Sequence, residues 1–231
     1  MRTAFCFSGE LRSIDKTYDL LKNKLMNRFS DYDIFYHTWN DDPDMEKLHY
    51  IEKDPHTKDI LIEERKTFDE SSYNTRKRDE VSVQGMLRQL YCLKQCNTLK
   101  LIHEVKNSFK YDIVVRIRPD TLIVNHTFLE KTIEQWDMKN YIYTSDHDDH
   151  LGYNDRFYLS NSENMDYISN RFDYLPEYYD KGGLIHYEIF FRTCVTKLKL
   201  DVCRTQMQFA LLRTNGDIST DLVKYYNILD I

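Results

Sequence analysis

"TAFCFSGELRSIDKTYDLLKNKLMNRFSDYDIFYHTW", residues 3–39, holds the pattern that decides the fold. It opens with a short apolar run, 3–7, that stops at Ser8-Gly9, as a buried strand does on entering a tight turn. From Asp15 the apolar period changes. Tyr18, Leu21, Leu25 and Phe29 recur at three- or four-residue spacing, the stripe of an amphipathic helix. "YDIFYHTW", 32–39, returns to a strand. Two strands joined by a helix pair in parallel, because the crossover carries the chain back to the edge it started from.

Beyond this unit the reading is coarser. Residues 40–80 are polar, highly charged and poorly periodic, a long excursion of the kind that serves function or moves. Val83, Met86, Leu87, Leu90 and Leu93 predict a helix running to about Phe109 with a break. Strands follow at 112–118, 140–145 and 156–160, with 121–124 continuing the first of them after a kink at Pro119. "SENMDYISNRFDYL" reads as a helix with Ser162 as its cap, 186–200 as another, and "FALLRTNGD" as a strand and turn. Alternating strands and helices that later become mixed imply an α/β sandwich with a mostly parallel central sheet, antiparallel additions and helices on both faces.

The chain has 231 residues with only 6 Gly and 4 Pro and no linker, which favours one domain over 1–231. Hydrophobic residues make up 41% and aromatics 14%, enough for a packed core and too much for disorder. A formal charge of −6 argues against a nucleic-acid footprint over the whole chain. The five cysteines fit no zinc spacing and read as reduced, mostly buried thiols. No run approaches the ~20 apolar residues of a membrane span, and "MRTAFCFSGELR" reaches charge too early for a signal peptide. The expectation is a soluble protein of a reducing compartment, the cytoplasm, where the Asn125-His126-Thr127 sequon is idle.

In sheets of this kind ligands bind beyond the carboxyl ends of the strands. Three polar sets lie there, Ser8–Arg12, His37–Asp41 and Arg116–Asp120, and all are expected to face one cleft. Arg116, Arg118 and Asp120 alternate along a strand. Two guanidinium forks beside a carboxylate suit a phosphate-bearing ligand, and Asp120 can hold a divalent cation bridging a diphosphate. A structural Arg–Asp cluster is the alternative. Gly9 lets backbone approach an anion, or simply makes the turn. Trp39 can stack on a base or sugar, or sit in the core. Gln84, at the start of the long helix, can donate to a ligand or be solvated. "DHDDHLGYND", 146–155, is a surface loop or a metal-binding one. Asp155 adjoins a strand and is held closer to the cleft. Glu188, after the Gly182-Gly183 turn, is a further candidate carboxylate unless it only serves the helix dipole.

In order along the chain, "FCFSGELRS", "YDIFYHTW", "VQGMLRQLYCLKQCNTLK", "YDIVVRIRPDTLI", "GYNDRFYLSNSENMD" and "HYEIFF…LLRTNGD" resemble small GT-A-type glycosyltransferases of capsule and surface-polysaccharide clusters and of some large viruses. The resemblance covers nearly the whole chain and implies a Rossmann-like nucleotide-sugar half, about 1–125, and an acceptor half, about 126–231. Such enzymes usually carry Asp-x-Asp at a strand end for a metal on the nucleotide diphosphate. Here the matching place reads Arg118-Pro119-Asp120, while Asp146-His147-Asp148 has the literal spacing. The implied activity is transfer of a hexose or pentose from a nucleotide sugar, UDP-linked, to a glycan or other hydroxyl. Ser8, Gly9, Arg12, Trp39, Gln84, Arg116 and Arg118 would line the donor site. Asp120 would hold Mn2+ or Mg2+, Asp155 would act as base if the enzyme inverts, and Glu188 stands second. Residues 146–153 would form a loop over the acceptor, and the setting would be the cytoplasm, of the host where the bearer is a virus. A nucleotidyl or phosphosugar transferase and a non-catalytic nucleotide- or sugar-binding module are the alternatives.

Overall fold

The computed structural model describes residues 1–73, 76–77, 81–125 and 137–219. β1 (Thr3–Ser8) and β2 (Tyr32–Trp39) pair in parallel, from Thr3 opposite Tyr32 to Ser8 opposite His37, with α1 (Ile14–Lys24) as the crossover. Every residue of β1 is buried. Phe5 and Phe7 face a cluster that includes Tyr18 and Leu21 of α1, while Ala4 and Cys6 face the other way. A strand covered on both faces is apolar throughout, which is why "TAFCF" does not alternate.

Where it is described, over 40–73, the polar excursion is more ordered than its composition suggests. It contains α2 (His49–Glu52) and β3 (Thr57–Glu63), which extends the sheet parallel to β2. β3 is an edge strand with most positions part-exposed, so its polar residues hid its period. α3 (Val83–Asn107) runs unbroken from a Ser82 side-chain cap to Ser108, which takes a left-handed conformation. The expected break does not occur. The helix's buried Lys100 is paired inside the fold, the ammonium donating to Glu104, Ser162 and Asp166. Cys96 and Leu99 of α3 cover the Ala4–Cys6 face of β1.

β4 (Ile113–Ile117) lies beside β1, again parallel. β5 (Thr121–Asn125) does not continue it. The chain turns at Pro119-Asp120, where the Thr121 amide donates to the Arg118 carbonyl. Then come β6 (Tyr141–Ser145), β7 (Phe157–Ser160), α4 (Ser162–Ser169), α5 (Leu175–Asp180) and α6 (Tyr187–Lys197). Asn161, not Ser162, caps α4. The Ser162 hydroxyl is drawn instead to Glu104 and Lys100. The expected helix through 200 ends earlier, and β8 (Asp201–Thr205) follows it. β9 (Gln208–Leu212) and β10 (Ile218–Ser219) close the described chain.

The main sheet has the order β3-β2-β1-β4-β7-β6-β8, with β7 antiparallel to both neighbours and the other pairings parallel. β5, β9 and β10 form a small antiparallel sheet. The chain leaves β1 toward β2 through α1 and returns through α3 to β4 on the other side of β1. The strand order therefore reverses between β1 and β4, the crevice where open α/β sheets bind ligands. All five cysteines are free thiols and four are buried. Among the described residues no helix is long and apolar enough to cross a membrane. The sequon's His126 and Thr127 lie outside the described residues.

Candidate functional site

A cleft of about 700 Å³ opens at that crevice. Ser8, Gly9, Arg12, Trp39, Arg116, Arg118, Asp120, Asp155 and Glu188 all line it. Gln84 does not: its side-chain amide accepts from the Phe68 amide and donates to the Phe68 carbonyl, which ties down the loop after β3. The cleft-facing stripe of α3 is instead Gly85, Arg88, Gln89 and Cys92, the i, i+3, i+4, i+7 spacing of one helix face. His37 also turns away from the cleft, bonding Glu63 at 2.7 Å inside the fold.

The loop after β1 is built for this place. Gly9 has φ +103°, a conformation in which L side chains are strained, and open space where a Cβ would be. Its amide donates to the His37 carbonyl and its carbonyl accepts from the Tyr36 hydroxyl. Buried Asp42 accepts from the Leu11 amide at 2.7 Å and so fixes the loop to the end of β2. Arg12 takes φ +51°, a left-handed conformation that costs a non-glycine residue ~1 kcal/mol or more, and its carbonyl accepts from Lys47 Nζ at 2.7 Å. Trp39 lines the cleft from within the core. Its ring stacks on Tyr91 at 5.9 Å and 10°, and the Arg65 guanidinium lies over it.

Asp120 is fully buried and surrounded by arginines. Arg118 grips it with both prongs, Nε and Nη2 each 2.9 Å from a carboxylate oxygen, and Arg12 Nη1 adds a third bond at 3.0 Å. Arg213 Nη1 stands 3.9 Å away. Burial works to raise the Asp120 carboxyl, but Arg118 and then Arg12 outweigh it and hold the group well below the usual carboxylate range. Arg213 is pushed down, by burial and then by Arg118, the mark of a cation among cations. Deeper in the floor Arg116 is 1% exposed. It donates through Nη1 to the Arg156 carbonyl, and its Nε has no partner among the described residues. The buried Ser8 hydroxyl is likewise unpartnered there. In all, Arg12, Arg65, Arg88, Arg116, Arg118, Arg156 and Arg213 face the cleft against Glu10, Asp120, Asp155 and Glu188, a local excess of positive charge in an acidic chain.

Asp155 and Glu188 form a second cluster. Gln89 Nε2 donates to Asp155 Oδ2 at 2.6 Å, and Arg171 Nη2 lies behind it at 3.9 Å. Glu188 sits in the first turn of α6 with His186 Nδ1 3.2 Å from Oε2. Burial, then the charge of Asp155, pushes the Glu188 carboxyl up to about 8. Tyr187 is pushed up to about 12 by the same two causes in the same order. The loop 146–155 rests on α6: a Cβ on Gly152 would lie 2.0 Å from the Glu188 carbonyl, and the Tyr153 amide donates to that carbonyl. Asp148, His150 and Leu151 in this loop all have positive φ.

The implied divalent cation does not fit these residues. Both Asp120 oxygens accept from guanidinium groups, so an arriving cation would meet positive charge where it needs free lone pairs. In the rival Asp146-His147-Asp148, Asp148 is paired to Arg156 at 2.6 Å and His147 Nε2 is on the Phe209 carbonyl at 3.0 Å, which leaves, of the two aspartates, only Asp146 beside His147, 3.8 Å from its Nδ1. Among the described residues no group of three or more His, Cys, Asp or Glu can hold a metal. Sequence reasoning missed Gln89, Tyr187 and Arg213. For Gln89 the signal was present, a polar residue on the helical stripe that begins at Gly85; Arg213 carried none, because only the small sheet brings "LLRTNGD" to β1.

Fold and cleft together define a Rossmann-like α/β protein with a cationic crevice at the switch point of its sheet. The chain belongs to the family described as Domain of unknown function (DUF7796), matched over residues 1–216, a span that contains every cleft residue except Ser219. No curated protein matches it.

Proposed function

We infer that this protein is a glycosyltransferase that uses a nucleotide-sugar donor. The observation that carries the reading is the pairing of two clusters in one cleft: guanidinium groups gathered at the ends of β1 and β4, and the buried carboxylates Asp155 and Glu188. The donor diphosphate lies against Arg12, Arg118 and Arg213, with its sugar toward the carboxylates. In an inverting transfer the acceptor oxygen bonds to the anomeric carbon as the bond from that carbon to the phosphate oxygen breaks, and its electron pair leaves with the nucleoside diphosphate. Arginines placed where that charge develops lower the barrier. The acceptor proton passes to Asp155, which Gln89 orients. Glu188 holds its own proton near neutral pH, so it is the poorer base. A more open hollow of about 590 Å³, lined by Asp148 and His150, shares Arg156 and Arg213 with the cleft and supports an acceptor entering beside the 146–155 loop.

A thermal-shift screen of UDP-, GDP-, ADP- and CDP-sugars, followed by product analysis with a glycan panel, tests the reading, since a ligand of the folded state raises the melting temperature. Release of nucleoside diphosphate with a glycosylated acceptor is expected. Pyrophosphate or nucleoside monophosphate as product would mean a nucleotidyl or phosphosugar transferase, and binding without turnover a binding module.

A further inference from the structure

We propose that the diphosphate subsite works without a metal, because the guanidinium groups of Arg12, Arg118 and Arg213, arrayed on the buried Asp120 carboxylate, occupy the role a divalent cation would play. This rests on the donor reading above and concerns how that same site neutralises phosphate.

A divalent cation on a carboxylate brings a net charge of about +1 to a diphosphate and is coordinated directly by its oxygens. Three guanidinium groups on one carboxylate bring about +2, with directed N–H donors that match phosphate geometry. The geometry of Asp120 suits the second arrangement. Its two oxygens take three hydrogen bonds of 2.9–3.0 Å from Arg118 and Arg12, and Arg213 approaches within 3.9 Å. The carboxylate anchors the cluster from below, while Arg12 and Arg213 keep 31% and 39% of their side chains exposed toward the opening. The left-handed backbone at Arg12 is consistent with a residue held there for its side chain. Independently, the cleft floor has two buried polar atoms lacking partners among the described residues, Arg116 Nε and Ser8 Oγ. A buried guanidinium nitrogen left unpaired is costly unless an acceptor arrives from outside. An anion in the cleft supplies one, which marks this floor as a site for a phosphate-bearing ligand, while the case against a metal rests on the occupied oxygens of Asp120.

Calorimetry with UDP, GDP, ADP and CDP, each in EDTA and in excess MgCl2 or MnCl2, separates the possibilities. At least one of the four is expected to bind with the same dissociation constant, within about threefold, in all three conditions. Arg213→Ala, whose side chain is part-exposed and touches Asp120 only at 3.9 Å, is expected to weaken that binding at least about tenfold in EDTA while the melting temperature holds. Binding that appears only with Mg2+ or Mn2+ would overturn the inference and leave the donor reading standing. Undiminished binding by Arg213→Ala would also overturn it. No binding of any of the four under any condition would overturn the donor reading and this inference with it.

Discussion

Replacing Glu188 by Gln is expected to stabilise the protein, and to do so more at pH 8 than at pH 5. Glu188 is only 6% exposed. Asp155 and Asp148 face it with negative charge and Arg156 with positive charge, and His186 Nδ1 lies 3.2 Å away. Burial and then Asp155 raise its carboxyl from 4.5 to about 8. Below pH 4.5 the group is protonated in both the folded and unfolded chain and costs nothing. As pH rises the unfolded chain releases the proton while the folded one keeps it, so stability falls until about pH 8, where the folded chain releases it too and the loss levels off. Each tenfold difference in proton affinity is worth ~1.4 kcal/mol, which makes the loss on the order of 3 kcal/mol at pH 7. Gln has nearly the same shape and never ionises, so the variant escapes it. Urea denaturation of both proteins at pH 5, 6, 7 and 8 measures the difference, in which groups common to both cancel. A gap that stays constant with pH, or a wild type that is the more stable at pH 8, would refute the reasoning.

Two further outcomes are expected. Asp155→Asn should reduce sugar transfer by ~10²–10⁴-fold, the usual cost of losing a general base, while calorimetry shows unchanged nucleoside-diphosphate affinity; transfer at the wild-type rate would place the base elsewhere. Gly152→Ala drives a Cβ to within 2.0 Å of the Glu188 carbonyl, an overpacking that should cost ~1–3 kcal/mol in urea denaturation and displace the loop from α6; an unchanged midpoint would show that the loop is not seated there.

The residues 3–39 alone determined the parallel start of the sheet, because periodicity is a local property and the change from strand to helix period is visible within one unit. The same holds for the polar ends of β1 and β4, which reached the cleft as expected because the carboxyl ends of parallel strands face one edge; from the end of β2 only Trp39 lines it, and His37 turns to Glu63. Tertiary structure decided the rest. β3 was hidden because an edge strand is half in water and need not alternate cleanly. β5 pairs with β9 in a second sheet, which local pattern does not reveal because β9 lies far along the chain. Gln84 and Gln89 look alike in sequence, yet at ~100° per residue they point to different sides of α3, and only packing tells which side meets the ligand. The guanidinium cluster on Asp120 was only partly legible, because Arg118 is a near neighbour whereas Arg12 lies 108 residues away along the chain and Arg213 nearly as far on the other side. Glu188 was legible as a candidate cleft carboxylate, but not its raised proton affinity, which comes from burial and from Asp155. Local order is written in neighbouring residues, whereas the charge state of a group is set by whatever the fold brings within a few ångströms of it.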